Sequence, residues 1–365
     1  MSASISFMSA EADVPFLALL VHRGHLRREI AEELLPDLKR GAGLDRLLVE
    51  RVGWEPDKVA RLRRTRAGEI PEIPGYEILG KLGTGGTADV FRARDKKTAS
   101  VIALKILKDE CARKKATLAA FIGEARLLQK LEHPGLVKGL GVARYGETYF
   151  SKLECIEGST LLEMLEAGQP FSEAAALRAI LAAAEVLAYL AGESVVHRDV
   201  KPGNLMLTHA GAIKLIDLGF AARPDEAPGN EDTAVGTVAY LSPEQARGGA
   251  AADLRSDVYS LGVTLFHLVV GRLPFDSSSD AEILRMQVMQ SLSSPELKSR
   301  GLSPHLHYFV EKMMAKEAEL RYQSWDELLG DIRAQLEGRE RLDFERESGA
   351  EGTTTQRGPR RRRKF

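Results

Sequence analysis

The feature that most constrains this chain is a polar segment near its centre, HRDVKPGN at residues 197–204, followed shortly by Asp217. A lone His-Arg-Asp can be an ordinary arginine–aspartate pair on a loop. The whole string adds an ammonium and an amide, and supplies Asp199, Lys201 and Asn204 beside the second aspartate. Such a set can neutralise phosphates, bind a hard cation through oxygen and accept a proton from a hydroxyl.

Length, charge and cysteine content exclude several classes of protein. The chain has 365 residues, enough for two or three domains, and its formal net charge of −1 provides no general attraction to nucleic acid or membranes. The two cysteines form no disulfide framework and suit a reducing compartment. No signal-peptide pattern begins the chain, and the apolar run at residues 261–270 is too short to span a bilayer. These observations predict a soluble, cytoplasmic protein with no membrane span.

Changes in composition divide the chain into five segments. Residues 1–10 are small and polar and are predicted to be disordered, whereas 11–67 show helical apolar periodicity and are predicted to form a small helical module. Prolines and glycines mark a linker at 68–75. Strand patterns and then helical patterns fill 76–340, and the charged tail at 341–365 is predicted to be disordered.

The helical module contains a weak internal sequence repeat. LLVHRG at residues 19–24 resembles LLVER at residues 47–51, and each is followed by another apolar helical pattern. Two related helix–turn–helix units would explain this repetition. The module faintly resembles the small helical module that precedes secretion-type ATPases, and the alternative is a plain helical docking or packing domain.

A glycine-rich stretch, LGTGGTADV at residues 82–90, lies between two predicted strands. Glycines allow a backbone to approach phosphates closely, with amide N–H groups as donors. A Rossmann loop would open a helix and a Walker loop would end in Gly-Lys-Ser/Thr, so neither motif fits. Because glycine-rich hairpins are common, an ordinary hairpin is the alternative.

Two charged residues occur where apolar ones are expected. Lys105 lies within the apolar strand VIALKIL at residues 101–107, where a buried ammonium needs a partner. Glu124 lies in an amphipathic helix and is predicted to be its inward carboxylate. The alternatives are an edge-strand lysine that reaches solvent and a solvated glutamate.

Four polar residues suggest a division of labour in phosphoryl transfer. Asp217 follows the apolar strand IKLI at residues 213–216, where a carboxylate can bind a hard cation, and Asn204 offers a second oxygen. Asp199 is then available to accept a proton from an incoming hydroxyl. Lys201 can stabilise the transferred phosphate.

Three further residues are predicted to have structural roles. Glu244 needs a cation, and Arg321 is its candidate partner, although a surface arginine is the alternative. Asp257 begins an apolar helix and can also be an ordinary helix-initiating acid.

In this order, the motifs resemble the protein kinase family, and within it bacterial Ser/Thr kinases of eukaryotic type, from Tyr76 to Gln335. The resemblance implies an α+β, bilobal fold preceded by the small all-α module. A β-rich N-lobe at about 76–155 would sit over a helical C-lobe at about 156–340, with ATP between them. It also implies transfer of the γ-phosphate to serine or threonine hydroxyls of protein substrates.

The resemblance implies a role for each matching residue. Asp199 would be the catalytic base, Lys201 would contact the γ-phosphate, and Asn204 and Asp217 would bind Mg²⁺ or Mn²⁺. Leu153 would be the gatekeeper. The residues implied to bind ATP come from the glycine loop, two strands, one helix and the hinge: Leu82, Gly83, Thr84, Gly85, Gly86, Thr87, Ala88, Val90, Ala103, Lys105, Glu124, Glu154 and Ile156.

The chain departs from the family pattern at a few positions, none of which removes a charged catalytic group. Ala88 replaces the third loop glycine, Leu218 stands where phenylalanine is commoner, and Ser242 stands where alanine is. Gly139 replaces an expected core leucine, which predicts a locally shifted strand with Leu140 as the substitute.

Two other functions remain open. A pseudokinase scaffold that binds partners without catalysis is the main alternative, although the strand lysine, the base and the metal aspartate are all present. A small-molecule phosphotransferase is disfavoured by residues 236–244, which resemble a peptide-docking platform.

Regulation is predicted to involve the loop before Thr237. Arg198 is of the kind that pairs with a loop phosphate, and Thr233 is the predicted autophosphorylation site. The rival hypothesis is that Glu231 or Asp232 already supplies the negative charge. The helical module is a candidate for self-association or docking. The basic tail is predicted to be solvated rather than a nucleic-acid contact.

Overall fold

The computed structural model describes most of the chain: residues 10–22, 25–66, 70–169, 171–219, 221, 238–248, 252–292 and 302–338. Four helices form the N-terminal module: α1 (Ala10–His22), α2 (Arg28–Lys39), α3 (Leu44–Glu50) and α4 (Pro56–Arg66). Apolar residues at helical spacing give the module its own core, with Phe16, Leu20, Leu34, Leu38, Leu44 and Leu48 among its buried members. The all-α character predicted for this segment is confirmed.

A five-stranded antiparallel sheet follows, in the order β1-β2-β3-β5-β4. Its strands are β1 (Tyr76–Thr84), β2 (Ala88–Asp95), β3 (Val101–Leu107), β4 (Gly139–Tyr145) and β5 (Thr148–Glu154). Their β-branched and aromatic residues pack on one another across the sheet. Two helices connect β3 to β4, namely α5 (Asp109–Ala112) and α6 (Lys115–Lys130), and α6 packs against β4.

The segment before β1 is attached to this sheet. Ile70 and Ile73 are buried with apolar residues of the first three strands. Arg61 of α4 forms an ion pair with Glu77 of β1, with a nitrogen–oxygen distance of 2.5 Å. The helical module is therefore in contact with the strand that leads into the glycine-rich turn.

Gly139 is where α6 approaches β4 most closely. A Cβ atom there would lie 2.6 Å from the Leu128 carbonyl carbon and 2.7 Å from the Gln129 nitrogen, both in the backbone of α6. The strand is irregular at this point, as predicted, because the pairing register with β5 shifts between Gly139 and Gly141. The prediction that Leu140 substitutes in the core is wrong, because the irregularity leaves Leu140 38% exposed.

Substitution of Gly139 by alanine is expected to lower the free energy of unfolding by about 1–3 kcal/mol, because the added methyl group would force helix and strand apart. Urea denaturation measures the change. Gly123→Ala is the matched control on the same helix, because nothing lies within 4 Å of a Cβ there. That control is expected to be stabilising by about 0.4–1 kcal/mol. An equal loss in both variants would contradict the close-contact explanation.

Helices dominate the rest of the described chain, with one small sheet. The sheet contains β6 (Gly158–Thr160), β7 (Leu205–Thr208) and β8 (Ile213–Leu215). The helices are α7 (Leu161–Glu166), α8 (Glu173–Gly192), α9 (Pro243–Ala246), α10 (Leu254–Val270), α11 (Asp280–Met289), α12 (Pro304–Met313) and α13 (Trp325–Leu336). Helices α8 and α10 form the centre of the largest apolar core. The predicted α+β, bilobal architecture is confirmed.

Serine residues cap the N-termini of two helices, α8 and α13. Ser172 caps α8, because its hydroxyl accepts the Ala175 N–H at 3.2 Å. The sequence SWDE at residues 324–327 has the pattern of a capping box, but the box is only half formed. Ser324 accepts the Glu327 N–H, but the Glu327 carboxylate accepts the Gln323 N–H instead of completing the box.

One helix in the described part of the chain, α8, is long and apolar enough to cross a membrane. Half of its most apolar window is buried inside the protein, as in the core helix of a soluble domain. The apolar run at 261–270 lies in α10, which is also almost entirely buried.

Candidate active site

One ammonium joins three parts of the fold at the cleft between the two lobes. Lys105 of β3 donates hydrogen bonds to both carboxylate oxygens of Glu124 of α6, at 2.7 and 3.0 Å. The same nitrogen lies 3.0 Å from Oδ1 of Asp217, which follows β8. The Lys105 and Glu124 side chains are 12% and 7% exposed. The lysine is therefore a buried, paired group, and the solvent-exposed alternatives do not apply.

Burial, together with an excess of carboxylates over ammonium groups, shifts the pKa values of this cluster. Burial alone would lower the pKa of Lys105, but Asp217 and Glu124 outweigh it and hold that pKa above its ordinary value. Burial opposes ionisation of Asp217 too, yet Lys105 and the Gly219 N–H hold its pKa well below the usual range. Burial and the neighbouring Asp217 raise the pKa of Glu124. Two carboxylates sharing one ammonium leave negative charge at the cleft, which suits a cation.

The loop at residues 197–204 orients Asp199 through three contacts. Its Oδ2 atom lies 2.8 Å from Lys201 Nζ and accepts a hydrogen bond from Asn204 Nδ2 at 3.0 Å. Asn204 Nδ2 also donates to the Asp199 carbonyl oxygen at 2.8 Å. Within the described chain, Asp199 Oδ1 is buried and has no hydrogen-bond partner. One oxygen is thus held in place while the other remains available to a donor from outside.

A buried carboxylate holds the backbone of the same loop. Asp257 of α10 is 3% exposed and accepts the N–H groups of His197 and Arg198, at 2.8 and 2.7 Å. Arg198 has φ = +67°, a left-handed conformation that is strained for a residue with a side chain. Gln245 of α9 donates to the Arg198 carbonyl oxygen at 3.0 Å. Asp257 is therefore more than a helix-initiating acid, because it stabilises a strained turn beside Asp199.

His197 connects the loop to Asp217. Its Nδ1 accepts the Asp199 N–H at 3.2 Å, which assigns the proton to Nε2. Nε2 then donates to the Asp217 carbonyl oxygen at 2.8 Å. This role of His197, and that of Gln245, were not predicted. Only the position of His197 beside Arg198 and Asp199 could have suggested it.

One side of the cleft is apolar, and a glycine-rich turn joins β1 to β2. Ala103 of β3 and Leu153 of β5 are paired in register and buried in the large core, where Val90 and Ile156 pack partly buried. The Glu154 side chain accepts hydrogen bonds from Lys214 Nζ at 2.6 Å and from the Lys138 N–H at 2.9 Å. In the glycine-rich turn a Cβ on Gly85 would lie 3.1 Å from the Ala88 carbonyl oxygen, so the tight turn depends on glycine.

The segment before α10 is fixed by a buried ion pair. Both carboxylate oxygens of Glu244 accept hydrogen bonds from Arg321, at 2.8 and 2.9 Å, and Ser256 donates to Glu244 at 2.6 Å. Arg321 is 2% exposed, so it is not a surface arginine. Leu218 and Ser242, two departures from the family pattern, are both buried.

The donor set fits a divalent cation that takes few protein ligands. Within the described residues no group of three or more His, Cys, Asp or Glu side chains forms a complete metal site. Asp217 and Asn204 instead offer carboxylate and amide oxygens beside the cleft, and the amide nitrogen of Asn204 is already engaged. Mg²⁺ is commonly bound by one or two such ligands together with phosphates and water. Thr233 and Thr237 lie outside the described residues.

Comparisons with known proteins agree with this geometry. The chain is 36% identical over 273 residues to a probable serine/threonine-protein kinase of Streptomyces coelicolor, which covers 72% of this chain and 40% of that protein. It is 32% identical over 272 residues to the serine/threonine-protein kinase PrkC of Bacillus subtilis, covering 74% of this chain and 42% of PrkC.

PknB, a serine/threonine-protein kinase of Mycobacterium tuberculosis, is 34% identical over 264 residues, covering 70% of this chain and 42% of PknB. The chain thus spans about 40% of the length of these curated relatives. The family model for the protein kinase domain matches residues 76–331, well over half of the chain. The chain belongs to the protein kinase domain family.

Proposed function

We propose that the chain is an ATP-dependent Ser/Thr protein kinase that uses Mg²⁺, or Mn²⁺ in its place. The observation that carries the proposal is the contact of Lys105 with both Glu124 and Asp217, in the same cleft as the available oxygen of Asp199. Family membership implies ATP and a divalent cation. The names of the relatives favour serine and threonine hydroxyls as acceptors.

The residues divide the reaction among themselves in this proposal. Asp199 Oδ1 accepts the proton of the incoming hydroxyl, while Asn204 and Lys201 hold its other oxygen. Lys105 orients the α- and β-phosphates, and Glu124 keeps the ammonium in place. Asp217 and Asn204 bind the cation, which supplies charge neutralisation to the phosphates when bound. Most of the catalytic effect is positioning and electrostatics, since little covalent chemistry falls to the protein.

ATP would be bound by the remaining cleft residues. The backbone of Glu154 and Ile156 is proposed to meet adenine, between the side chains of Ala103, Val90 and Leu153. The amides of the glycine-rich turn, residues 82–88, would cover the phosphates. Burial of these apolar side chains in the common core supports a rigid adenine site.

The pseudokinase alternative lacks support in the site. Asp199 Oδ1 is a buried carboxylate oxygen without a hydrogen-bond donor in the described chain. Such an atom costs free energy, and a scaffold without catalysis would gain nothing from it. The small-molecule alternative is disfavoured by the buried Glu244–Arg321 pair, which stabilises the segment that resembles a peptide-docking platform.

The test of the proposed function is label transfer from [γ-³²P]ATP to a basic protein such as myelin basic protein, with and without Mg²⁺. Hydrolysis of the product and phosphoamino-acid separation should give phosphoserine and phosphothreonine. A turnover of roughly 1–100 per second is expected of a working kinase. Absence of transfer by folded protein that binds Mg²⁺·ATP would favour the scaffold, and label on tyrosine alone would reject the stated specificity.

Substitution of Lys105 by methionine is expected to lower kcat/KM for ATP by at least about 100-fold. The variant loses charge-assisted hydrogen bonds worth about 1.5–3 kcal/mol and leaves the Glu124 and Asp217 carboxylates facing each other. Steady-state kinetics with varied ATP measures the effect. Lys138→Met is the control, because that lysine is 62% exposed and its ion pair in the described chain is with the exposed Glu132. A similar loss in both variants would contradict the role of Lys105.

The wider biological context is proposed on more limited grounds. Protein substrates follow from the kinase relatives, whereas self-association or docking through α1–α4 remains a proposal supported by the separate core of that module. The two cysteines are free, which favours a cytoplasmic location. Phosphorylation of Thr233 remains a proposal too, and mass spectrometry that finds it unmodified in fully active protein would reject it.

A further inference from the structure

A buried turn lies beside the catalytic base and is held by side chains from two helices. The turn, Val238–Tyr240, directly precedes α9. Ser260 of α10 donates to the Tyr240 carbonyl oxygen at 2.7 Å, and Gln287 of α11 donates to the Ala239 carbonyl oxygen at 2.6 Å. Backbone atoms that are usually left to water in a loop are therefore bound by protein.

Gln287 is itself fixed by a chain of polar contacts. It is fully buried, and its Oε1 accepts a hydrogen bond from the Tyr259 hydroxyl at 2.6 Å. Lys316 Nζ donates to the Tyr259 hydroxyl at 2.9 Å and to the Gln287 carbonyl oxygen at 2.7 Å. Because the Ala239 carbonyl can only accept, these contacts determine which end of the Gln287 amide is oxygen. The chain Lys316–Tyr259–Gln287–Ala239 has no freedom to reorient without losing a buried bond.

The same network reaches the other end of the segment. The Lys316 carbonyl oxygen accepts a hydrogen bond from Arg321 at 3.0 Å, and Arg321 is the partner of Glu244. Residues 238–244 are thus bound at both ends to side chains that meet near Lys316. Burying the Gln287 amide and half-burying the Lys316 ammonium costs free energy, and packing alone would be served as well by apolar side chains.

The turn is connected to the loop that carries Asp199 through electrostatics and through α9. Burial raises the pKa of the Tyr240 phenol, and the nearby carboxylates of Asp199 and Glu166 raise it further. Gln245, which follows in α9, donates to the carbonyl oxygen of Arg198 next to Asp199. A displacement of this turn would therefore change the surface directly beside the catalytic carboxylate.

We propose that Gln287 is a positioning residue for the protein substrate, which acts by fixing the Ala239 backbone so that the turn can contact residues flanking the acceptor hydroxyl. This inference rests on the proposed kinase function. In the described chain the hydrogen bonds of Gln287 go to Tyr259, Ala239 and Lys316, so in this proposal it acts through the turn. Its removal should weaken protein-substrate binding and leave ATP binding unchanged.

The experiment compares Gln287→Met, Gln287→Glu and a control in the full chain. Methionine fills the space but makes neither hydrogen bond. Glutamate, ionised beside Lys316, still accepts from Tyr259 but cannot donate to Ala239. The control is Tyr322→Phe, which removes another buried hydroxyl, one bound to Asp331 at 3.0 Å.

Both Gln287 variants are expected to raise KM for myelin basic protein about tenfold, the equivalent of one hydrogen bond, with kcat and KM for ATP within about twofold of wild type. Tyr322→Phe is expected to leave all three constants unchanged. An equal rise in KM for ATP would overturn the proposal, because it would indicate general damage to the protein. Wild-type kinetics in Gln287→Glu would overturn it too, because the hydrogen bond to Ala239 would then have no effect on substrate binding.

Hydrogen exchange provides a readout that does not depend on activity. Amides of residues 238–246 should exchange faster in both Gln287 variants than in wild type or in Tyr322→Phe. Unchanged exchange would show that Gln287 does not hold the turn. If wild-type protein transfers no phosphate, the proposed function fails, and the exchange measurement still decides whether this network holds the turn.

Discussion

Asp199→Ala is expected to lower kcat for protein phosphorylation by about 10²–10⁴-fold while leaving the Kd for Mg²⁺·ATP within about threefold of wild type. The reason is that Oδ1 of Asp199 is a buried acceptor with no partner in the described chain. Without it, the proton of the incoming hydroxyl has no positioned acceptor. Quench-flow measurement of phosphoryl transfer at saturating ATP, combined with calorimetry of nucleotide binding, separates the two quantities.

Asparagine at the same position distinguishes proton transfer from packing. Asp199→Asn keeps the size of the side chain and can still bind Lys201 through its oxygen, but it cannot take up the proton. A loss close to that of the alanine variant is expected. Asp331→Ala is the control, because this carboxylate of α13 accepts a hydrogen bond from the Tyr322 hydroxyl and its loss should not affect kcat. Undiminished phosphoryl transfer in either Asp199 variant would contradict the assignment of Asp199 as the base.

Arg321→Met is expected to lower the free energy of unfolding by about 3–5 kcal/mol, the loss typical of removing one partner of a buried ion pair. The variant leaves the Glu244 carboxylate without its two guanidinium donors. It also removes the donor to three carbonyl oxygens, those of Ala315, Arg255 and Lys316. Urea denaturation at pH 7, followed by tryptophan fluorescence and circular dichroism together, measures the change.

The pH dependence gives this prediction a second signature. Burial opposes ionisation of Glu244, but Arg321 lowers its pKa to about 2. A lowered folded-state pKa contributes stability that is present above the unfolded-state pKa and lost as the pH falls toward 2. In Arg321→Met burial is opposed by the Ser256 hydrogen bond but no longer by the guanidinium, so the Glu244 pKa rises and protonation relieves part of the cost. The difference between variant and wild type should therefore be largest near pH 7 and smaller near pH 4.5.

The matched control is another arginine of the same region. Arg255 binds Asp253 and Glu319 near the surface, and both partner carboxylates are more than one-third exposed. Arg255→Met is expected to cost no more than about 1 kcal/mol. A loss that does not depend on pH, or equal losses at the two arginines, would contradict the buried-pair explanation.

The sequence predicts those parts of the site in which a charged residue interrupts an apolar pattern. Lys105 is the one charged residue of an apolar strand, and Glu124 is the inward carboxylate of an amphipathic helix. A buried ammonium requires a partner, which follows from the residues, whereas Glu124 as that partner is implied only by the resemblance to protein kinases. The same resemblance predicts the bilobal fold.

The parts that could not be predicted depend on contacts between distant residues of ordinary type. Gln287 binds a carbonyl oxygen 48 positions away, and Asp257 binds the His197 amide 60 positions away. Backbone acceptors and donors have no side-chain signature, so no local pattern identifies such pairs. Local competition explains the half-formed cap at Ser324, where the Glu327 carboxylate also binds Lys312 at 2.7 Å.

The contact at Gly139 has a consequence for how the cleft can move. Since the α6 backbone rests on a residue without a side chain, the helix that carries Glu124 cannot roll or slide toward β4 without atomic overlap. The spacing between Glu124 and Lys105 is consequently limited on one side by steric exclusion, whatever the strength of their attraction.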